Sequence, residues 1–155
     1  MSERPRPTPE QLAKYADEFN QSATLRYFGV KLSFPESQRV RADLDPVKPE
    51  QLGGLGADAV NGGVLSAIFD LVIGSAPALI DPTRRTATMQ LSISFMKPVR
   101  GKRLSAEAWV DSAGNATLFS SAVIKDERGE ICARCQGVVK MSKGPWASGN
   151  SPAMN

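Results

Sequence analysis

The stretch that decides the fold spans residues 61–80 and reads NGGVLSAIFDLVIGSAPALI. Apolar residues occur on every side of a helix built from this sequence, and such a helix is expected to be buried all round. Pro77 and then Asp81-Pro82 end it. The apolar run is also interrupted by Asp70 and is too short to cross a bilayer, so no membrane segment is expected. The sequence therefore predicts a central helix enclosed by the rest of the chain.

Segments of alternating apolar and polar residues flank this helix, a pattern typical of strands that are buried on one face. Two short strands are predicted before it, at residues 30–34 and 40–44. About four longer strands are predicted after it, at residues 88–95, 104–110, 118–124 and 131–139. The first of these is expected to bury the alternating residues Met89, Leu91, Ile93 and Phe95. Together these elements predict an α+β fold in which a sheet wraps around one helix.

A further helix is predicted close to the start of the chain. Thr8 can cap it, Pro9 suits its first position, and Gln11 completes a capping box. The length of 155 residues fits a single domain. The end of the chain is rich in Ser, Gly and Pro and is expected to be disordered. The predicted organisation is an N-terminal helical extension, one domain and a tail, at residues 1–23, 24–141 and 142–155.

Composition excludes several kinds of chemistry. Histidine is absent, which removes Ser-His-Asp and Cys-His catalysis and histidine metal sites. Cys132 and Cys135 form a single C-x-x-C that cannot complete a zinc site, so no metal and no cofactor are expected. The net charge of +3 suits a small anionic ligand and gives no indication of nucleic acid. Because the first residues lack the apolar core of a signal peptide, the cytoplasm is the expected location.

Asp70 is the candidate catalytic group. It is the one charged residue in the 61–80 stretch, although charged residues make up 23% of the chain. Burial would raise the pKa of a lone carboxyl and make it a better general base. The alternative is a structural role, in which Asp70 reaches solvent through a gap or pairs with an arginine such as Arg84 or Arg85.

The start of the central helix is the second candidate element. Gly62 and Gly63 carry no side chains, so a ligand could approach the unpaired N–H groups of the first turn and place a developing oxyanion there. A glycine-rich helix start without function is the alternative. Gly62 and Asp70 are about 12 Å apart along one helix, too far to act on one carbonyl. A shared site therefore requires a homodimer that brings one copy's glycine to the other's aspartate.

The segment N-G-G-V-L-S-A-I-F-D resembles the H-G-G-x-x-x-x-x-x-D signature of hotdog thioesterases. The resemblance is to the phenylacetate-degradation and human THEM-type group of the 4-hydroxybenzoyl-CoA thioesterase superfamily. L-S-I-S-F-M-K-P-V-R-G-K-R-L looks like that group's third strand and turn, and G-N-A-T-L-F-S-S-A-V-I-K-D-E-R-G-E-I-C-A-R-C-Q-G looks like its last two strands. The resemblance covers residues 61–141.

The resemblance implies a hotdog fold that hydrolyses acyl-CoA thioesters. It implies homodimers with joined sheets, often paired into tetramers, and acyl-CoA bound at the subunit boundary. The family's acidic residue, nucleophile or general base, falls on Asp70, and its oxyanion glycine falls on Gly62. A strand hydroxyl that helps to place water falls on Thr88, and a loop amide falls less securely on Gln51. The family's usual histidine is Asn61 here, whose amide could replace it as a hydrogen-bond donor.

Two questions stay open at this level. Lys97, Arg100 and Lys102 surround a proline turn and could meet the CoA phosphates, or could form an ordinary solvated turn. The fold would equally suit a non-catalytic acyl or acyl-CoA binding protein, whereas a hydratase is disfavoured because no histidine is present. The depth of the acyl pocket is expected to depend on the loops at 46–58 and 96–103 and on Trp109 and Phe119.

Overall fold

A computed structural model of the protein describes residues 5–145. In chain order the helices and strands are α1 (Pro9–Asn20), α2 (Ala23–Phe28), β1 (Val30–Glu36), β2 (Arg39–Leu44), α3 (Gly62–Ser75), β3 (Arg84–Phe95), β4 (Leu104–Ala113), β5 (Thr117–Asp126) and β6 (Ile131–Pro145). Short 3-10 turns occupy Pro49–Gln51 and Ala76–Leu79. The predicted order of one helix, two strands, a central helix and four strands is confirmed, and α2 is an additional helix that the pattern does not predict.

The six strands form one antiparallel sheet in the order β1-β2-β4-β5-β6-β3. Helix α3 packs against five of them, from β2 to β3, and its buried residues join the inward side chains of the sheet in one core. Phe69 and Ile68 are fully buried there. This is the predicted α+β hotdog fold, with the sheet curved around the central helix.

Helix α1 begins as its sequence predicts and packs onto the outside of this unit. The Thr8 side chain accepts from the Gln11 backbone, and the Gln11 side chain accepts from the Thr8 backbone, which completes the capping box. Leu12 is buried against Ala78 and Leu79 in a small second core. The 3-10 turn that follows α3 therefore anchors α1 to the end of the central helix.

The alternation that predicts the strands is confirmed in β1, β2 and β4, is interrupted by the additional buried residues Val123 in β5 and Cys132 in β6, and changes phase in β3. A β-bulge interrupts the pairing of β3 with β6 between Thr88 and Gln90. An extra residue at a bulge reverses the side-chain phase beyond it. Met89 is consequently 64% exposed instead of buried, and Phe95 is 53% exposed at the end of the strand. The bulge leaves Thr88 on the side of the strand that faces α3, since its hydroxyl lies near Gly74.

Helix α3 is not buried on all sides, which corrects the expectation drawn from its composition. One stripe of small or polar residues remains at least partly exposed, since the sheet covers only the opposite side: Gly63, Ser66, Ala67, Asp70 and Gly74. By length and composition, the segment Gly62–Leu79 is the one described helix that could cross a membrane, which corrects the expectation that it is too short; 56% of it is buried within the protein. It is the central helix of the fold.

The ends of the chain lie partly outside the described residues. Strand β6 continues to Pro145, beyond the domain boundary predicted at residue 141. The rest of the predicted tail, residues 146–155, and the first four residues lie outside the described part.

Candidate active site

Asp70 lies on the exposed stripe of α3 and lines an open cavity of about 680 Å³. Within residues 5–145 its carboxylate makes no ion pair. The guanidinium of Arg84 instead donates to the carbonyl oxygens of Ser142 and Asn115. The structural pairing with Arg84 that the sequence left open is therefore not found, whereas the other part of that alternative, an Asp70 side chain that reaches solvent, agrees with its exposed position. The cavity is lined by residues of α1, α3 and β3: Tyr15, Phe19, Asp70, Leu71, Gly74, Thr86, Thr88, Met89, Gln90 and Leu91.

Thr88 shares this cavity with Asp70. Its hydroxyl oxygen lies 3.3 Å from the position that a Cβ on Gly74 would occupy. Gly74 follows Asp70 by one helical turn and so lies on the same side of α3. The Thr86 hydroxyl donates to the Gly74 carbonyl oxygen at 2.8 Å and ties β3 to the helix at this point. The missing side chain at Gly74 thus leaves room for the Thr88 hydroxyl beside the helix.

The start of α3 is capped by Asn61. Its side-chain oxygen accepts the Gly63 N–H at 2.7 Å, so this N–H is not free for a ligand. The Gly62 N–H, by contrast, has no hydrogen-bond partner in the described part of the chain, as expected for the first residue of a helix. A Cβ on Gly62 would lie 3.5 Å from the ring of Phe95. Only one of the two candidate glycines therefore offers an available donor, and a half-exposed aromatic ring lies beside it.

Gln51 is held inside the protein and does not line the Asp70 cavity. It is 6% exposed, its amide nitrogen donates to the Phe28 carbonyl oxygen at 2.7 Å, and its amide oxygen accepts the Lys48 N–H. Its backbone carbonyl oxygen accepts the Asn61 N–H at 2.8 Å. The geometry supports a positioning role, in which Gln51 holds the preceding loop against the start of α3.

The basic turn after β3 is partly neutralised by acidic neighbours. Lys97 pairs with Glu130, whose hydrogen bond raises the pKa of Lys97. Arg100 donates to Asp58 at 2.8 Å and lowers the pKa of that carboxyl. Lys102 is exposed, and its backbone N–H donates to Glu127. None of the three predicted cations lines the Asp70 cavity of its own protomer.

Cys132 and Cys135 are free and buried. Burial raises the pKa of the Cys135 thiol to about 11. Among residues 5–145, no three His, Cys, Asp or Glu side chains form a group that could hold a metal ion.

Comparison with known proteins identifies the family. The sequence profile of the family described as "Thioesterase superfamily" matches residues 58–133, which include Asn61, Gly62, Asp70 and Thr88. The chain belongs to the thioesterase superfamily. The comparison with curated proteins finds no match.

Solved structures of other proteins share the fold at low identity. The PaaI protein of the phenylacetic acid degradation operon of E. coli has a TM-score of 0.76 at 18% identity, with 88% of this chain and 97% of that chain covered. A thioesterase of Haemophilus influenzae has a TM-score of 0.74 at 17% identity, with 92% and 95% covered. A thioesterase family protein of Silicibacter pomeroyi has a TM-score of 0.75 at 20% identity, with 86% and 99% covered.

Within this superfamily fold, one protomer brings together Asp70 and Thr88 but not the residues at the helix start. Three aromatic residues that lie beside Asp70 or Gly62 are not identified as site residues by the sequence pattern. Tyr15 and Phe19 reach the cavity from α1, and Phe95 lies against Gly62. The helical spacing of Tyr15 and Phe19 indicates only that they share an apolar face. Trp109 and Phe119, which were expected to shape the acyl pocket, do not line this cavity.

Proposed function

We propose that the protein hydrolyses an acyl-CoA thioester to a carboxylic acid and free CoA. Asp70 carries the proposal, because it is a carboxylate without an ion pair within residues 5–145, set in an apolar helix and lining an open cavity with the Thr88 hydroxyl. Membership of the thioesterase superfamily supports a thioester as the substrate. In a chain without histidine, Asp70 is the group in this cavity suited to accept a proton.

In the proposed reaction, Asp70 acts as general base and Thr88 helps to hold the attacking water. The water oxygen bonds to the thioester carbonyl carbon while Asp70 takes its proton. The carbonyl oxygen gains negative charge and is stabilised by the Gly62 N–H at the positive end of the helix. When the tetrahedral intermediate collapses, the C–S bond breaks, and the proton held by Asp70 passes to the departing CoA sulfur.

A homodimer is required, because Asp70 and Gly62 of one helix are about 12 Å apart. The two edges of the sheet differ in a way that supports pairing through β3. At the β1 edge, the Asn20 side chain both donates to the Leu32 carbonyl oxygen and accepts the Leu32 N–H, which occupies that edge. Strand β3 is twelve residues long and, among the described strands, pairs only with β6. A long open edge is a template for pairing with another strand.

Three further assignments complete the proposal. We expect two such dimers to associate into a tetramer, and the assembly mass measured by sedimentation distinguishes a dimer from a tetramer. We assign the CoA phosphates to the exposed turn that carries Lys97, Arg100 and Lys102, where Lys102 is the cation with no acidic side-chain partner in the described part. The free, buried thiols of Cys132 and Cys135 agree with a reducing compartment such as the cytoplasm.

The test is thiol release from a panel of acyl-CoAs, with two substitutions matched to the two halves of the site. Asp70→Asn keeps the shape of the side chain and removes the base. Gly62→Pro removes the proposed oxyanion donor, and proline is accepted at the first position of a helix. The extended backbone of Asn61 suits a following proline. Gly62→Ala is the control, because it adds bulk but keeps the N–H. Loss of turnover in both Asp70→Asn and Gly62→Pro is expected; a folded wild-type dimer without turnover contradicts the proposal.

A non-catalytic acyl-CoA binding protein is the second candidate. It is favoured by Asn61, which stands where the family usually has histidine and whose side-chain oxygen is used to cap the helix. It predicts acyl-CoA binding by calorimetry that survives Asp70→Asn, without hydrolysis by the wild type.

A further inference from the structure

We propose that helix α1 limits the length of the acyl group, through the side chains of Tyr15 and Phe19. This inference rests on the proposed function and extends it from the type of reaction to substrate selection. The cavity beside Asp70 lies between α3 and β3 and is bounded by α1, from which both aromatic rings reach its wall. An acyl group whose carbonyl carbon reacts near Asp70 would extend toward these rings.

The aromatic wall is firmly packed. The rings of Tyr15 and Phe19 are 5.8 Å apart, and the ring of Tyr15 also packs edge-to-face on Phe34 at 5.9 Å. Leu12, on the same helix, is buried against Leu79. The ring of Tyr15, which lies between Phe19 and Phe34, has little freedom to move aside for a longer ligand, and Phe19 packs against it. The wall is thus a fixed boundary.

The opposite side of the cavity provides space close to the reacting group. Gly74 lies one helical turn beyond Asp70, a rise of about 6 Å, and lines the cavity with backbone only, beside the Thr88 hydroxyl. Leu71 and Leu91 supply apolar surface beside it. The cavity can therefore accept the first part of an acyl chain along α3. The rings on α1 then stand at its boundary and select against groups that extend further.

The other aromatic residues of the domain do not offer this boundary. The guanidinium carbon of Arg39 lies over the Trp109 ring, 4.2 Å from the centroid of that ring. Phe119 is exposed on β5. Phe28 is half-buried like Phe19 but packs against Tyr27, and it does not line the Asp70 cavity. Phe28→Ala is therefore a matched control for the loss of a partly buried phenylalanine.

The experiment measures kcat/KM of the full chain for straight-chain acyl-CoAs of increasing length, from acetyl to dodecanoyl. The variants are Phe19→Ala, Phe19→Trp and Phe28→Ala. In each protein, the ratio of kcat/KM between a long and a short substrate is compared. This ratio is independent of the fraction of protein that is folded, so the chain-length preference of a partly unstable variant can still be measured.

Phe19→Ala is expected to move the optimum to longer chains and to raise the long-to-short ratio about tenfold, the effect of roughly two additional buried methylene groups. Phe19→Trp is expected to move the optimum to shorter chains, and Phe28→Ala to leave it in place. Hydrolysis by all variants with the wild-type length profile overturns this inference and leaves the proposed function intact. A wild-type protein that hydrolyses none of the substrates overturns both.

Discussion

The cap that Asn61 forms on helix α3 gives a prediction in which stability and activity separate. The bond from Gly63 N–H to the Asn61 side-chain oxygen is 2.7 Å long and exposed. Loss of such a cap in Asn61→Ala should lower the free energy of unfolding by about 1 kcal/mol. For a protein of this size, that lowers Tm by roughly 2–4 °C. Asn61→Asp keeps an oxygen at the cap and adds a negative charge at the positive end of the helix, which should preserve or raise stability.

Activity should follow a different order. The carboxylate of Asn61→Asp would lie beside the Gly62 N–H, where the proposed oxyanion forms, and would oppose it. We expect thiol release to fall about tenfold or more in this variant, although it remains as stable as the wild type. The assay pairs thermal unfolding at one fixed protomer concentration with steady-state hydrolysis. An Asn61→Ala protein as stable as wild type would refute the cap, and a fully active Asn61→Asp protein would refute the oxyanion site.

Three further predictions concern the fold. A methyl group on Gly137 would lie 2.5 Å from a side chain of α3, so Gly137→Ala should cost about 1–3 kcal/mol in urea unfolding, whereas Gly144→Ala, with nothing within 4 Å, should cost little. Equal midpoints would contradict the packing of helix on sheet. Asn20→Ala removes both bonds to Leu32 and should cost about 1–2 kcal/mol by the same measurement, and an unchanged midpoint would show that the β1 edge does not need this cap. Burial raises the pKa of the Cys135 thiol to about 11, so little thiolate exists at pH 8. Modification of Cys135 by a thiol reagent should therefore be slow in the native protein and rapid in denaturant. Fast modification of the native protein would contradict the burial of Cys135.

Local patterns in the sequence predict most of this fold. The capping box at Thr8 and Gln11 and the alternation in β1 and β2 depend on neighbouring residues only, and the structure confirms both. The bulge after Thr88 could not be predicted, because it depends on how β3 pairs with β6. The exposure of one side of α3 likewise depends on which side the sheet covers.

In the candidate site too, only the features that depend on a single segment could be predicted from the sequence. Asp70 could be singled out because a charge in an apolar helix is conspicuous within one segment, and the resemblance added Thr88. The use of Asn61 as a helix cap and the removal of Gln51 from the cavity arise from contacts between distant segments. The contribution of Tyr15 and Phe19 required knowledge of where α1 packs, which helical spacing alone does not give.

The most direct test is to mix two inactive proteins. Asp70→Asn and Gly62→Pro variants are unfolded or dissociated together, allowed to reassociate, and assayed for thiol release. If each site combines Asp70 of one copy with Gly62 of the other, every mixed dimer regains one intact site, and random mixing should restore about a quarter of wild-type activity. Mixed dimers that form, as shown by mass, yet remain inactive would contradict a site shared between two copies.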